Sequence, residues 1–223
     1  LLAHHCHVGF FGDHERIPKR RTLTLPSLLD VRLPRFVGRQ NLQRCSGFYT
    51  SRYWGWDDWR REIEWSVKRG FNVLHMTLGA RVLDCEALRA MGVQAEPPTR
   101  MDQVHADLGR QCADFARDLG LRVVTPGGTT GYVTPAFRDV HPHARYFEMQ
   151  WFSYAPQLFV HPSDPLFDQL LVTRLRIADH LYGASDLYSL DVYAEMEPPG
   201  TPEEREGAKT AFSRAAVAAL RKH

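Results

Sequence analysis

Apolar runs and amphipathic segments alternate along this chain of 223 residues. Short apolar runs at 72–77 and 122–125, each soon followed by glycine or proline, are typical of buried parallel strands. A weaker run lies within 146–154, and a fourth occupies 189–193. Apolar residues recur at helical spacing in the intervening segments 81–91, 101–119 and 167–182. The alternation predicts β/α units whose parallel strands are joined by right-handed crossovers.

Helix-boundary residues support this pattern. Gly70 and Gly120 follow two amphipathic segments at the position where helices commonly end. The sequence Thr201-Pro202-Glu203-Glu204 is a capping box with proline at the first helical position, so it predicts the start of the last helix. Residues 1–40 do not continue the alternation and are too few to form a core of their own. They are therefore expected to be the tail of a separate domain.

Composition excludes several classes of function. Apolar residues make up 43% of the chain, which is enough for a sizeable core. The 28 basic and 26 acidic residues nearly balance, so no nucleic-acid partner is expected. No apolar run approaches the roughly 18 residues that a membrane span needs, so no membrane partner is expected either.

Cysteine and histidine positions do not predict a cofactor or a metal centre. The cysteines at 6, 45, 85 and 112 are widely spaced and form no CxxC pair, so neither a zinc site nor a disulfide framework is indicated. The segment His4-His5-Cys6-His7 has metal-binding residue types, but clustered histidines near a chain end are more often simply exposed. We expect no metal and no cofactor.

A carboxyl group directly follows the fourth predicted strand. Pro198 and Pro199 stop that strand because proline donates no backbone hydrogen bond. In β/α barrels the C-terminal ends of strands hold the catalytic groups, so Glu195 is a candidate acid. A glutamate in a solvated loop has the same local pattern, and the residues alone leave both interpretations open.

Aromatic residues are concentrated just before the first predicted helix. Four of the five tryptophans lie within 54–65. Trp59 and Trp65 fit a core around that helix. The preceding loop, 45–54, could equally pack in the core or stack on the faces of sugars, because loops often carry function.

Four stretches together resemble glycoside hydrolase family 89, the α-N-acetylglucosaminidases. Residues 45–65, CSGFYTSRYWGWDDWRREIEW, resemble the family signature Cys…Tyr…Trp-Gly-Trp-Asp-x-Trp-x-Arg-Glu-Ile-Asp-Trp. The sequence at 70–72 is similar to the Gly-hydrophobic-Asn that opens the family's first barrel strand. The segments LFVHPSDPLF at 158–167 and DVYAEMEPP at 191–199 complete the resemblance. The four stretches occur in the family's order over most of 41–200.

The resemblance implies a fold and an activity. The expected fold is a partial (β/α)8 TIM barrel of about four β/α units at 41–223. Residues 1–40 would then be the remnant of a small N-terminal α/β domain and a linker. The implied activity is removal of terminal, non-reducing α-linked N-acetylglucosamine from a glycan by a retaining two-carboxylate mechanism. The resemblance also implies a secreted, periplasmic or lysosomal protein.

The same resemblance assigns site residues. Glu195 aligns with the general acid/base of the family. The implied substrate-binding residues are Gln43, Cys45, Tyr49, Trp151 and Asp191. The family nucleophile lies on a later barrel strand that this chain does not contain. We therefore expect the chain to need the missing half of the barrel, or to associate with itself through exposed strand edges.

Three departures from the family pattern keep a second interpretation open. Ala194 stands where the family has an asparagine beside the acid. Ala80 and Arg81 replace the Gln-Glu expected after the first strand. The family's Gly-Pro-Ala-Phe…Trp…Arg-Met-Gly-Asn segment, which supplies much of the sugar pocket, is missing, and 93–102 bridges the gap. The alternative is a non-catalytic or decayed relative that binds glycan or has no activity.

Overall fold

The computed structural model describes residues 8–10, 14–19, 22, 34–41, 49–129, 132–193 and 195–223. The helices are α1 (Trp56–Lys68), α2 (Ala80–Ala90), α3 (Arg100–Asp118), α4 (Pro135–Val140), α5 (Pro165–Tyr182) and α6 (Pro202–Lys222). The strands are β1 (Gly9–Phe10), β2 (Glu15–Arg16), β3 (Val73–His75), β4 (Arg122–Thr129), β5 (Tyr132–Val133), β6 (Tyr146–Met149), β7 (Gln157–Val160) and β8 (Leu187–Asp191).

A parallel sheet with strand order β3-β4-β8 forms the centre of the described fold. Val73 of β3 pairs with Arg122 of β4, and Val124 of β4 pairs with Leu187 of β8, and both strand pairs are parallel. Gln40 adds an isolated parallel bridge to Val73, so the ladder extends one position beyond β3. The predicted parallel pairing of the runs at 72–77 and 122–125 is confirmed.

The run within 146–154 does not join this sheet, and its assignment as a parallel strand is wrong. It forms β6, which pairs antiparallel with β7 in a second sheet of order β5-β7-β6. Only residues 150–156 connect β6 to β7. A parallel pairing needs a crossover of a dozen or more residues, so this short connection requires an antiparallel pair.

The amphipathic segments form helices with the boundaries that their capping residues predict. Thr99 accepts a hydrogen bond from the Asp102 N–H at the start of α3. At the start of α6, the Thr201 hydroxyl accepts from the Glu204 N–H at 3.3 Å, and the Glu204 carboxylate accepts from the Thr201 N–H at 2.7 Å. Each box satisfies backbone donors that a helix start leaves without partners.

Two apolar clusters hold these layers together. One lies between β3, β4 and the helices α1, α3 and α5, and includes Trp59, Ile63, Leu74, Met76, Cys112, Val123 and Tyr182. The other joins the antiparallel sheet to α5 and α6, and includes Val133, Phe159, Val160, Leu171, Leu175, Tyr193 and Phe212. Because α5 contributes to both clusters, it connects the parallel and antiparallel sheets.

A buried ion pair strengthens the same junction. The Arg174 guanidinium on α5 lies 3.1 Å from an Asp84 carboxylate oxygen on α2. The same guanidinium nitrogen donates to the backbone carbonyl oxygen of Tyr132 on β5 at 3.1 Å. Arg174 therefore links one helix of the parallel unit to the antiparallel sheet. None of the helices in the part of the chain that the structure describes is long and apolar enough to span a membrane.

Candidate functional site

The C-terminal ends of β3, β4 and β8 meet at one edge of the parallel sheet. Because the three strands run in the same direction, the segments that follow them lie on the same side of the fold. The segment after β8 carries Glu195, four residues beyond the last strand residue, Asp191. The strand thus ends two residues earlier than the predicted run 189–193, and Glu195 lies in the loop that follows.

A buried tyrosine anchors this loop. The Tyr193 ring is enclosed by the rings of Phe147, Phe159 and Phe212, with centroids 5.7, 6.0 and 5.1 Å away. The backbone at Tyr193 has a φ of +64°, which is uncommon for a residue other than glycine. The Met196 N–H donates to the Tyr193 carbonyl at 2.9 Å and closes a turn. With Tyr193 and Met196 both buried, Glu195 is left on the exposed side of the turn.

The Glu195 carboxylate contacts a tryptophan in the connection between β6 and β7 of the antiparallel sheet. The indole Nε1–H of Trp151 donates to Glu195 Oε2 at 2.9 Å. Trp151 lies in the connection between β6 and β7, and its ring stacks on that of Tyr154, with centroids 5.3 Å apart and an angle of 14°. Two residues that the family resemblance had assigned separately, 44 positions apart, thus lie in direct contact.

The neighbouring carboxylate has a different environment. Glu197 forms an ion pair with Lys209 on α6, with Nζ–O distances of 3.1 and 3.2 Å. Glu197 is therefore engaged by α6, whereas the Glu195 carboxylate contacts the connection between β6 and β7. Of the two glutamates in this loop, Glu195 is the one that lies beside the aromatic turn.

Of the other sequence-predicted residues, the two that the structure describes are not brought into this contact. Asp191 is half-buried at the end of β8, opposite Thr129 of β4. Tyr49 is exposed in the turn before α1. Gln43 and Cys45 lie outside the described residues, as does the segment His4-His5-Cys6-His7. Within the described ranges, no group of three or more histidine, cysteine, aspartate or glutamate side chains is arranged to hold a metal ion.

A cavity of about 340 Å³ lies after the end of β3. Its lining includes Arg81, which replaces an acidic family residue, and Thr99, Asp102 and His105 from the start of α3. Hydrogen bonds from the Thr99 hydroxyl and backbone N–H hold the pKa of the Asp102 carboxyl below its usual value. The charged lining of this cavity is therefore mixed, with Arg52 and Arg81 beside the Asp102 carboxylate.

Sequence reasoning missed two aromatic neighbours of Trp151. Phe152 and Tyr154 are 74% and 59% exposed, and both rings lie within 5.5 Å of the Trp151 ring. The density of aromatic residues over 146–154 was visible in the sequence. From the sequence alone these aromatic residues indicate only a strand and its loop, because no local pattern shows that the turn faces Glu195.

Comparison with known proteins places these features in context. A family model described as the α-N-acetylglucosaminidase TIM-barrel domain matches residues 39–98 and 95–223. The two matched segments overlap at residues 95–98. Human α-N-acetylglucosaminidase is 26% identical over 227 residues, which cover 88% of this chain and 30% of the human protein.

Solved structures show the same fold. A family 89 glycoside hydrolase from Clostridium perfringens, in complex with 2-acetamido-1,2-dideoxynojirmycin, superposes with a TM-score of 0.76 at 15% identity. The same bacterial enzyme, in complex with its substrate GlcNAc-α-1,4-galactose, gives a TM-score of 0.74 at 16% identity. Each alignment covers 98% of this chain and 28% of the bacterial chain. This chain thus spans less than a third of the length of these relatives.

Proposed function

Since the chain belongs to the α-N-acetylglucosaminidase TIM-barrel family, we propose that it supplies the acid/base part of a glycoside hydrolase. The substrate would be a glycan ending in α-linked N-acetylglucosamine. The observation that supports this best is the contact between Trp151 and Glu195 on the side of the fold where the parallel strands end. It leaves Glu195 exposed to a substrate while holding one carboxylate oxygen in place.

The fold that we propose is the first half of an eight-stranded barrel. The parallel ladder runs through Gln40, β3, β4 and β8, which would supply four of eight strand positions. On this view the barrel begins near Gln40, one residue before the boundary expected from the sequence, and the residues before it belong to a small N-terminal domain. The remaining strands would come from the rest of a longer protein or from a second copy of the chain.

The proposed reaction is a retaining double displacement. Glu195 donates its proton to the glycosidic oxygen as the bond from that oxygen to the anomeric carbon breaks. A second carboxylate, about 5–5.5 Å away, forms a bond to that carbon from the opposite face of the sugar. Water then displaces the second carboxylate, and Glu195 takes the proton from the water. The second carboxylate would come from a later strand, because Glu197 shares the loop of Glu195 and is paired with Lys209.

The remaining site assignments are part of the same proposal. Gln43, Cys45, Tyr49 and Asp191 would line the pocket for the terminal sugar. A two-carboxylate mechanism needs no cofactor. The competing proposal is a glycan-binding relative without turnover. Two departures from the family resemblance favour it: Ala194 beside the candidate acid, and Arg81 in the cavity after β3.

The decisive experiment compares two glutamate variants in the full-length protein that contains this chain. Glu195→Gln should slow hydrolysis of an α-N-acetylglucosaminyl disaccharide by about 10²–10⁴-fold. It should slow an activated aryl glycoside far less, because a good leaving group departs without protonation. Glu197→Gln is the matched control and should change either rate by only a few fold.

Equal losses on the two substrates for Glu195→Gln, or a larger loss for Glu197→Gln, would contradict the acid/base assignment. Absence of turnover by the wild-type protein, together with measurable binding of the disaccharide, would establish the glycan-binding alternative.

A further inference from the structure

The turn from Trp151 to Tyr154 presents aromatic rings to solvent beside the candidate acid. Trp151 is 37% exposed, and Phe152 and Tyr154 are more exposed still. The rings of Trp151 and Tyr154 are stacked with nearly parallel planes. The ring of Phe152 is tilted by 58° from that of Trp151, at a centroid distance of 5.4 Å. Large apolar side chains clustered on a surface in this way are characteristic of binding sites.

The backbone of this turn holds Phe152 outward at a conformational cost. Phe152 has a φ of +49°, in the left-handed region that a bulky residue rarely adopts. Such strain persists where the surrounding structure imposes it, and it is concentrated at functional sites. The Tyr154 N–H donates to the Trp151 carbonyl at 3.1 Å, which closes the turn around Phe152. The turn therefore holds the backbone of Phe152 in a defined conformation that leaves its ring exposed.

We propose that Trp151, Phe152 and Tyr154 form the subsite for the leaving sugar, a pyranose ring on the departing side of the cleaved bond. This inference rests on the proposed function of Glu195. A general acid must reach the glycosidic oxygen, which joins the terminal sugar to the leaving sugar. Side chains in direct contact with the acid therefore flank that bond, and Trp151 donates to Glu195 itself at 2.9 Å.

The chemistry of the turn fits a sugar face. The axial C–H groups of a pyranose form an apolar surface that packs on an aromatic ring, as the faces of other cyclic ligands do. One face of Tyr154 stacks on Trp151, so the other face of Tyr154 and the exposed ring of Phe152 remain for the ligand. A loop that recognises the leaving sugar would select among glycans that share the same terminal N-acetylglucosamine.

Binding measurements in the full-length protein test the subsite without requiring turnover. A Glu195→Gln background slows hydrolysis of the disaccharide by about 10²–10⁴-fold, and the glutamine carbonyl can still accept from the Trp151 indole. Two probes are titrated by calorimetry: GlcNAc-α-1,4-galactose, the substrate named for the bacterial relative, and methyl α-N-acetylglucosaminide, which lacks a leaving sugar. The background protein should bind the disaccharide more tightly than the methyl glycoside.

Phe152→Ala and Tyr154→Ala should each weaken disaccharide binding about 5- to 30-fold, the usual effect of truncating an aromatic contact. Binding of the methyl glycoside should change less than twofold. Phe152→Leu keeps an apolar side chain without a ring and should lose most of the same affinity.

The matched control is Phe36→Ala. Phe36 is similarly exposed, at 67%, but it lies before Gln40, which pairs with the start of β3 at the opposite edge of the parallel sheet. Its removal should leave both affinities unchanged. Melting curves of each variant show whether the turn remains folded.

Equal losses for the two probes, no loss for either, or equal affinity of the background protein for both probes would each overturn the subsite. These outcomes differ from failure of the proposed function. A protein that binds the disaccharide through Phe152 and Tyr154 but does not hydrolyse it keeps the subsite and loses the hydrolase assignment. Binding of neither probe would overturn both.

Discussion

The buried ion pair between Arg174 and Asp84 allows a quantitative test of what holds the two sheets together. The Arg174 side chain is almost fully buried, whereas that of Asp84 is 34% exposed. Asp84→Asn keeps the shape of the side chain but leaves the guanidinium without this counter-charge. Removing one partner of a fully buried pair costs about 3–5 kcal/mol. Because Asp84 is partly exposed and water screens the pair, we expect about 2 kcal/mol here.

The double variant Asp84→Asn/Arg174→Met should recover much of this loss. Methionine fills a similar apolar volume without a charge, and uncharged replacements of buried pairs are often nearly neutral. The double-mutant cycle should therefore give a coupling energy of about 1–2 kcal/mol. Arg176 is exposed on the same helix, so Arg176→Met is the control and should change stability by less than about 0.5 kcal/mol.

Hydrogen exchange at the amides of α5, measured in the full-length protein, isolates this region from other domains. Opening free energies of α5 amides should fall in Asp84→Asn and largely return in the double variant. An Asp84→Asn effect no larger than that of Arg176→Met would refute the assigned role of the pair. Strict additivity of the two single variants would also refute it.

Three further predictions concern packing, pH and assembly. Gly79→Ala should destabilise the protein by about 1–3 kcal/mol more than Gly70→Ala. The φ angles are +82° at Gly79 and +81° at Gly70, so backbone strain is matched, but only at Gly79 would a Cβ approach the Ala106 Cα, at 2.6 Å. Equal denaturant midpoints for the two variants would contradict this. Burial raises the pKa of the Cys112 thiol from 9.0 to about 12, so the folded state holds the thiol proton more tightly than the unfolded state does. The stabilisation of the fold that results is fully present below pH 9 and is lost as the pH rises toward 12. At pH 10 the loss should be about 1.4 kcal/mol relative to pH 8, and Cys112→Ala should lack this component, whereas identical pH slopes would exclude it. The isolated 223-residue chain should dimerise or aggregate through the edge strand β8, and a sharp two-state melt from a dilute monomer would contradict that expectation.

The local pattern of the sequence was sufficient to predict most of the helices and the parallel strands. The helical apolar spacing of 101–119 and the capping box at Thr201 depend on residues a few positions apart, so they can be read without knowledge of the fold. The run at 72–77 was recognisable as a strand because a strand buried on both faces is apolar throughout. The carboxyl at Glu195 was identifiable because Pro198 and Pro199 limit how far the preceding strand can continue.

The relation between the two sheets was decided only by the tertiary structure. Whether the run within 146–154 pairs parallel or antiparallel depends on which strand it meets, and the short connection to β7 determines this. The contact of Trp151 with Glu195 joins residues 44 positions apart. No periodicity spans that distance, because such a contact arises from the packing of the antiparallel sheet against Tyr193 and α6. The sequence thus determined which residues have the chemistry, and long-range packing determined which of them meet.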